Sequence, residues 1–283
     1  MWRVFFILTS VFFCFNMSNS HPIGLFDSGV GGLTVAHAIS SLLPQEQLVY
    51  YGDTAHLPYG DKSREAIVSY SLGITDFLLE NDCKVILIAC NSASTNAYEE
   101  VVKHVGNKAR ILNVVDPVVD FVSESTDLKD IGVIGTKATI SSNTYPDRIR
   151  SKNDALNVSS LATPLFVPMI EEGFVFDDIS NAIIRSYLSR TELRGIDSLI
   201  LGCTHYPIIR NQISRYYNFE VNVIDTSRIV AEYLQKFLTE NDLLSTSRKG
   251  KDKFFVSDHT PYFETIARIF FNQKIDLVRK SIW

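Results

Sequence analysis

Short apolar, β-branched runs alternate with helical patterns along most of the chain. Strands are predicted at residues 23–27, 48–51, 85–89, 111–115, 131–135, 198–202, 221–224 and 254–257. Helices are predicted between them, for example at Leu33 to Leu42, Arg64 to Glu80, Asp178 to Ser189 and Ile229 to Leu238. Nearly continuous apolar strands separated by helices indicate parallel sheets that are covered on both faces. The predicted fold class is therefore α/β.

One sequence pattern occurs twice, and each copy ends in a cysteine. In the first copy, one apolar run leads into Asp27-Ser28 and a later run leads into Cys90. In the second copy, the corresponding runs lead into Thr136 and Cys203. The repeat predicts two doubly wound parallel-sheet domains related by pseudo-twofold symmetry, with an active site in the cleft between them.

The polar residues that end the repeated runs are expected to meet in that cleft. In open parallel sheets, ligands bind beyond the carboxyl ends of the strands. The residues at such ends are Asp27, Ser28, Cys90, Asn91, Ser92, Thr136, Cys203, Thr204 and His205. One thiol from each half would then face the other across the cleft, an arrangement that suits chemistry on both faces of one carbon atom.

The repeat also sets the expected domain boundaries. The first domain is predicted to contain residues 22–113 and 226–283, and the second domain residues 114–225. Residues 1–21 are predicted to be an extension outside the fold. Residues 4–15 of the extension are mostly apolar, which is the length of a signal-peptide core and too short for a membrane span. We favour a start at Met17, with residues 1–16 untranslated or outside the fold, over an export signal.

Composition narrows the function classes. The chain has 283 residues and a net charge of −5, which gives no reason to expect a nucleic-acid partner. We expect no membrane partner either. Its one basic cluster, residues 248–253, contains Gly and is predicted to be a solvated loop. Four cysteines without a CxxC pair indicate free thiols in a reducing compartment, and hence a cytoplasmic protein. A disulfide between Cys90 and Cys203 is the alternative.

The two repeated cysteines are the candidates for acid/base chemistry. Each precedes a probable helix, and a helix N-terminus lowers the pKa of a thiol. The alternatives are that both are ordinary buried cysteines, that Cys90, Cys203 and His205 bind zinc, or that a Cys–His pair is a nucleophile. His205 is placed to exchange a proton with Cys203, and Asp27 with Cys90. Glu171 has a loop position before a predicted helix.

The glycine-rich turn at residues 27–32 opens a predicted helix. Glycines allow backbone N–H groups to approach an anion. The turn departs from GxGxxG and lacks the lysine of a phosphate loop, which argues against nucleotide binding. A tight strand-to-helix turn is the simpler interpretation of these residues alone.

From about Ile23 to near Phe270, the sequence resembles the glutamate racemase family of the aspartate/glutamate racemase superfamily. The matching motifs are IGLFDSGVGGLTV (23–35), YYGDTAHLPYG (50–60), LIACNSAST (87–95), GTKATISSNTY (135–145), PLFVPMIEEG (164–173) and LGCTHYPII (201–209). Ser92 stands where the family usually has Thr, which retains the hydroxyl. The resemblance implies interconversion of L- and D-glutamate, the D isomer feeding peptidoglycan synthesis.

The resemblance also implies roles for individual residues. Cys90 would take the α-proton from D-glutamate and Cys203 from L-glutamate, with Asp27 and His205 as auxiliary partners and Glu171 as a further catalytic candidate. The implied substrate-binding residues are Asp27, Ser28, Tyr59, Gly60, Asn91, Ser92, Thr136, Thr139, Thr204 and His205. The family uses no cofactor, and no metal is expected. Family members commonly form homodimers.

Two alternative functions stay open at the level of sequence. An aspartate racemase would use the same two cysteines and the same cleft. A glutamate-binding or regulatory protein without catalysis belongs to a different class, against which the intact cysteine pair argues.

Overall fold

A computed structural model describes residues 18–283 of the chain. Within this range there are two β-sheets, one with six strands and one with four, and every pair of adjacent strands is parallel. Helices connect the strands. The predicted α/β class, with parallel sheets in two domains, is confirmed.

The elements are numbered in chain order. The strands are β1 (Ile23–Asp27), β2 (Leu48–Gly52), β3 (Val85–Ile88), β4 (Arg110–Asn113), β5 (Asp130–Gly135), β6 (Asn157–Ala162), β7 (Ser198–Gly202), β8 (Asn222–Ile224), β9 (Lys253–Val256) and β10 (Leu277–Arg279). The helices are α1 (Leu33–Leu42), α2 (Arg64–Glu80), α3 (Asn91–Asn96), α4 (Tyr98–Val105), α5 (Asp116–Glu124), α6 (Lys137–Ser141), α7 (Thr144–Lys152), α8 (Phe166–Glu171), α9 (Asp178–Leu188), α10 (Arg210–Tyr216), α11 (Thr226–Glu240) and α12 (Pro261–Phe271).

The strand order brings equivalent strands to the middle of each sheet. The first sheet has the order β10-β9-β2-β1-β3-β4, and the second has the order β6-β5-β7-β8. Strands β1, β3 and β7 are buried along their whole length. Such strands are apolar on both faces because helices cover both faces of a parallel sheet. The domain boundaries at residues 113/114 and 225/226 stay a prediction.

Two strands, β6 and β10, were not predicted. Both lie at the edge of a sheet, where one side of the strand has no neighbour. The sequence of β6 is Asn-Val-Ser-Ser-Leu-Ala with half-buried serines, and β10 is mostly exposed. An edge strand needs no continuous apolar run, so the pattern that identifies central strands is absent from these two.

One apolar core extends across both sheets. A single cluster of buried side chains contains Leu25 of β1 and Leu201 of β7, together with Leu33 of α1 and Leu234 of α11. Helices α1 and α11 pack against each other. This shared core holds the carboxyl ends of the two sheets close together. None of the helices within residues 18–283 has the length and apolar character needed to cross a membrane.

A buried ion pair lies next to the start of β3, and its contacts correct the expected start of the fold. Lys84 Nζ lies 2.7 Å from Glu46 Oε2, and both side chains are fully buried. The Lys84 ammonium also donates to the carbonyl oxygens of Asn19 and Leu243, and to Ser245 Oγ. Residues 18–21 therefore belong to the fold, because the Asn19 carbonyl helps to satisfy a buried charge. Residues 1–17, including Met17, lie outside the described range.

Removing this cation should destabilise the fold strongly. We expect Lys84→Met to lower the free energy of unfolding by about 3–5 kcal/mol, because Glu46 would remain buried without its partner. The control is Arg228→Ala, which removes an exposed pair with Glu232 on α11 and should cost below about 1 kcal/mol. Urea unfolding of both variants measures the difference. Equal losses in the two variants would contradict this interpretation.

Candidate active site

Residues from both domains line one narrow cleft at the carboxyl ends of β1, β3, β5 and β7. Its walls are formed by Ser28, Pro58, Tyr59, Gly60, Cys90, Asn91, Ser92, Thr136, Val167, Cys203, Thr204 and His205. Ten of these twelve residues were predicted from the sequence. The cavity between them is small, about 30 Å³. Both thiols are buried and free, one contributed by each domain.

The first thiol, Cys90, follows β3 and caps α3. The backbone N–H of Ala93 donates to its sulfur over 3.5 Å, and its S–H donates to Ser28 Oγ over 3.7 Å. Burial and the nearby charge of Asp27 raise the pKa of Cys90 to about 12, although hydrogen bonds that Ala93 and Ser28 donate to the thiolate act in the opposite direction. The expected net decrease of this pKa was wrong, because the burial of the charged form outweighs the effect of the helix N-terminus.

Asp27, at the end of β1, is fully buried and contacts both domains. Its carboxylate accepts from the backbone N–H of Gly29 at 3.0 Å and from the Thr204 hydroxyl at 3.5 Å. Burial raises the pKa of Asp27, while the charge of His205 and backbone N–H groups oppose that shift. No hydrogen bond joins Asp27 to Cys90 within residues 18–283, so its influence on that thiol is electrostatic.

The second thiol, Cys203, belongs to a three-residue chain of contacts. Its sulfur lies 3.8 Å from His205 Nδ1, and His205 Nε2 lies 2.9 Å from Glu171 Oε1. Burial opposes a charge on His205, but the hydrogen bonds and charges of Cys203 and Glu171 outweigh it and raise the pKa of His205 to about 10. The imidazole is therefore protonated at neutral pH.

Two local predictions around this chain of contacts were wrong. Glu171 ends helix α8 instead of lying in a loop before a helix. Cys203 does not begin an α-helix, because a short 3-10 turn at Tyr206–Ile209 precedes α10. The electrostatic support for this thiol comes from His205 and not from a helix N-terminus.

Three hydroxyl groups join the two domains across the cleft. Ser92 Oγ, from the first domain, lies 2.9 Å from Thr136 Oγ1 and 3.4 Å from Thr139 Oγ1 of the second domain. Thr136 also caps α6 by accepting from the backbone N–H of Thr139. Hydroxyl groups both donate and accept, so these contacts can be exchanged for contacts with a ligand.

The turn at Tyr59–Asp61 forms part of the same wall through Tyr59 and Gly60. A Cβ on Gly60 would lie 2.7 Å from Thr136 Cβ, so a side chain there would push the domains apart. Within residues 18–283, the N–H groups of Tyr59 and Gly60 donate to no acceptor. The Tyr59 hydroxyl points away from the cleft and donates to Asp53 Oδ2 at 2.7 Å. The Tyr59 hydroxyl is therefore already engaged within the protein, and the contact of Tyr59 with a ligand stays a prediction.

Sequence reasoning missed Tyr145, although this residue ends one of the quoted motifs. Tyr145 Oη, on α7, donates to Asn91 Oδ1 at 2.8 Å across the domain boundary. The oxygen of the Asn91 amide is thereby engaged, and its NH₂ group is left for another acceptor. Only the folded structure shows this pairing, because the two residues are far apart in the chain.

Metal binding has no obvious donor set in the described part of the chain. No group of three or more His, Cys, Asp or Glu side chains within residues 18–283 is arranged to hold an ion.

The fold and the cleft define a two-domain α/β protein in which each domain contributes one thiol to a shared site. The family model for Asp/Glu/Hydantoin racemase matches residues 33–234. Glutamate racemase of Chlorobaculum parvum is 39% identical over 260 residues, which cover 92% of this chain and 95% of that protein. The chain therefore belongs to the Asp/Glu/hydantoin racemase family, and this relative is a glutamate racemase.

Solved structures agree with this assignment. Glutamate racemase from Francisella tularensis, in complex with D-glutamate, matches with a TM-score of 0.88 and 38% identity, covering 93% of this chain and 98% of that one. Glutamate racemase isoform RacE1 from Bacillus anthracis also has a TM-score of 0.88, with 30% identity and the same coverage. The resemblance noted from the sequence motifs is confirmed.

The charge on His205 can be measured directly. We expect its imidazole to titrate with a midpoint near pH 10. Because folding raises this pKa, the stability it contributes is present below about pH 6.5 and is lost as the pH rises through about 10. Glu171→Gln removes the neighbouring charge and should lower the midpoint, as followed by NMR of the imidazole Cε1–H.

A matched control is Glu264→Gln, which removes the carboxylate facing His259 on the surface. This variant should leave the His205 titration unchanged. A wild-type midpoint near 6.5 would contradict the proposed charge.

Proposed function

We propose that this chain interconverts L- and D-glutamate without a cofactor, with Cys90 and Cys203 as the two acid/base groups. The observation that supports this most directly is one buried thiol from each domain in a single cleft. The family membership and the glutamate racemases among its relatives supply the substrate.

Racemisation requires two groups on opposite faces of the α-carbon. One group removes the α-proton as a base, and the other delivers a proton to the opposite face as an acid. Cys90, with its raised pKa, carries its proton at neutral pH. The imidazolium of His205 is placed to donate to a thiolate at Cys203. In this charge state Cys203 removes the α-proton of L-glutamate and Cys90 protonates the other face, giving the D isomer.

The reverse reaction begins with the protons exchanged. Cys90 is then the thiolate and removes the α-proton of D-glutamate, while Cys203 is the acid. The Ala93 N–H already donates to Cys90, and the Ser28 hydroxyl, which accepts from the thiol, would turn to donate to the thiolate and stabilise it. Asp27, His205 and Glu171 are proposed as the auxiliary groups that balance charge in the two directions.

Neutral donors would hold the two carboxylates of glutamate. The backbone N–H groups of Tyr59 and Gly60, the Asn91 amide and the hydroxyls of Ser28, Ser92, Thr136, Thr139 and Thr204 are proposed for this role. Hydrogen bonds from such donors to carboxylates are charge-assisted and strong in a water-poor site. Negative charge moves onto the α-carboxylate when the α-proton leaves, and preorganised donors there stabilise the transition state.

Substrate entry requires the domains to separate. A cavity of about 30 Å³ has room for little more than water. The contacts that must part are those between Ser92 and Thr136 and between Gly60 and Thr136, which cross from one domain to the other. Closure after binding would exclude water from the carbanion.

The proposed physiological role is supply of D-glutamate for peptidoglycan. Because both thiols must stay reduced, we also propose a cytoplasmic location. The family resemblance further supports a homodimer. Cell fractionation and light scattering with and without glutamate test these two proposals.

Solvent deuterium incorporation tests the function itself. Each glutamate enantiomer is incubated with reduced protein in D₂O, and deuterium at Cα and optical rotation are followed. We expect both isomers to exchange and to converge on a racemic mixture. Faster turnover of aspartate would favour an aspartate racemase, and no exchange in folded protein would favour a glutamate-binding or regulatory protein.

Loss of either cleft thiol should abolish racemisation. We expect Cys90→Ser and Cys203→Ser each to lower kcat by at least about 10³-fold, because a serine hydroxyl does not ionise near neutral pH. The matched control is Cys83→Ser, which replaces a buried cysteine in the core of the first domain and should retain turnover. Near-normal turnover of either cleft variant would remove that thiol from the mechanism.

Orientation of the Asn91 amide should affect substrate affinity. Tyr145→Phe removes the hydroxyl that engages Asn91 Oδ1 and should raise KM for both enantiomers by about 5- to 10-fold. Tyr217→Phe is the control, since the Tyr217 hydroxyl is buried without a hydrogen-bond partner within residues 18–283. Steady-state kinetics of both variants provide the comparison, and equal KM values would contradict the role of Tyr145.

A further inference from the structure

A buried carboxylate lies behind the cleft wall and has no part in the proposed proton transfers. Asp53 follows β2 and is fully buried. Its carboxylate accepts hydrogen bonds from the hydroxyls of Tyr59, at 2.7 Å, and Ser257, at 2.8 Å. It also lies 2.9 Å from His56 Nδ1. The backbone N–H of Asp53 donates to the carbonyl of Asp27, which ties it to the end of β1.

The three partners of this carboxylate come from two parts of the chain. Ser257 follows β9, which is a neighbour of β2 in the sheet. His56 and Tyr59 belong to the segment that leaves β2 and ends in the cleft wall. Ser257 Oγ also accepts from the backbone N–H of Ala55 at 2.8 Å. The carboxylate therefore joins this segment to the rigid ends of two adjacent strands.

Tyr59 is the direct link between this carboxylate and the cleft. Its side chain is 1% exposed, and burial and the charge of Asp53 raise the pKa of its hydroxyl. The phenol keeps its proton and donates to Asp53. Because the ring is fixed from behind, the part of the cleft wall formed by Tyr59 and Gly60 is held in place.

His56 connects the same carboxylate to the end of the chain. Its ring stacks on Tyr70 with centroids 4.3 Å apart and meets the edge of Trp283 at 5.1 Å. The Trp283 ring lies against α2 at Gly73, where a Cβ would come within 2.7 Å of it. Trp283 is therefore close enough to report changes in the packing of His56.

We propose that Asp53 is a positioning residue for substrate binding, which acts through Tyr59 and His56 on the wall formed by Tyr59 and Gly60. The inference rests on the proposed glutamate racemisation. The two carboxylate oxygens of Asp53 accept from the hydroxyls of Tyr59 and Ser257 and lie within hydrogen-bond distance of His56 Nδ1. An amide in its place would present an NH₂ group to at least one of these donors, and the wall would lose its fixed position.

Two variants test this inference by binding and kinetics. Asp53→Asn replaces one carboxylate oxygen with an NH₂ group, which alters the contacts with all three partners. Tyr59→Phe is the smaller structural change because it removes only the Tyr59 hydroxyl. Each should raise KM for both glutamate enantiomers by at least about tenfold, with a smaller effect on kcat. The double variant should be no worse than the more severe single variant, because both changes break one link.

The control is another Asp–His pair in the same domain. Asp76 on α2 lies 2.6 Å from His104 at the surface, away from the cleft. Asp76→Asn should leave KM and kcat unchanged. If Asp53 were itself an acid/base group, kcat would fall in Asp53→Asn and Tyr59→Phe would stay near wild type, which would overturn the proposal.

Two measurements separate this inference from the proposed function. Calorimetric titration with glutamate reports binding without turnover. Absence of binding in the wild type overturns the proposed function, whereas equal binding by wild type, Asp53→Asn and Tyr59→Phe overturns only the role of Asp53. In a Trp2→Phe background, emission comes from Trp283 alone. Asp53→Asn should shift that emission and Asp76→Asn should not. An unchanged spectrum in both would show that Asp53 does not hold His56.

Discussion

The charge balance around His205 is the interaction on which the rest of the cleft depends. This imidazole is 5% exposed, contacts Glu171 on one side and the Cys203 sulfur on the other, and is protonated at neutral pH. No Lys or Arg side chain lines the cleft within residues 18–283. Its charge also opposes the burial penalty on Asp27. A thiolate, a carboxylate and a substrate that carries two carboxylates can share a buried site only if such a cation offsets their repulsion.

The two thiols are equivalent in the repeated fold but not in their surroundings. Cys90 has hydroxyl and backbone donors with a carboxylate nearby, which leaves it a neutral thiol. Cys203 has an imidazolium. Racemisation needs one acid and one base at any moment, and the unequal surroundings distinguish the two thiols before substrate binds. The pseudo-symmetry of the domains places the two thiols, and the local charges make their surroundings different.

Hydrogen bonds behind the cleft wall hold some of its residues in place, while contacts inside the cleft can be exchanged for contacts with substrate. Tyr145 orients the Asn91 amide, and Asp53 anchors the ring of Tyr59. Between these supports, the hydroxyls of Ser92 and Thr136 contact each other across the domains. The shared apolar core beneath the cleft keeps the domains together while such contacts break. A site can therefore open for substrate and still return its donors to the same positions.

The central strands and the residues at their carboxyl ends were determined by the sequence itself. A buried parallel strand is recognisable in the sequence as a local apolar run. The repeat of that run before Cys90 and Cys203 was enough to predict their common cleft. The edge strands β6 and β10 lacked such a run. The pairings of Tyr145 with Asn91 and of Asp53 with Ser257, and the direction in which the pKa of Cys90 moves, were decided by the tertiary structure. Each of these features depends on how deeply a group is buried and on partners that are distant in the chain. A local sequence pattern specifies neither the burial nor the partners.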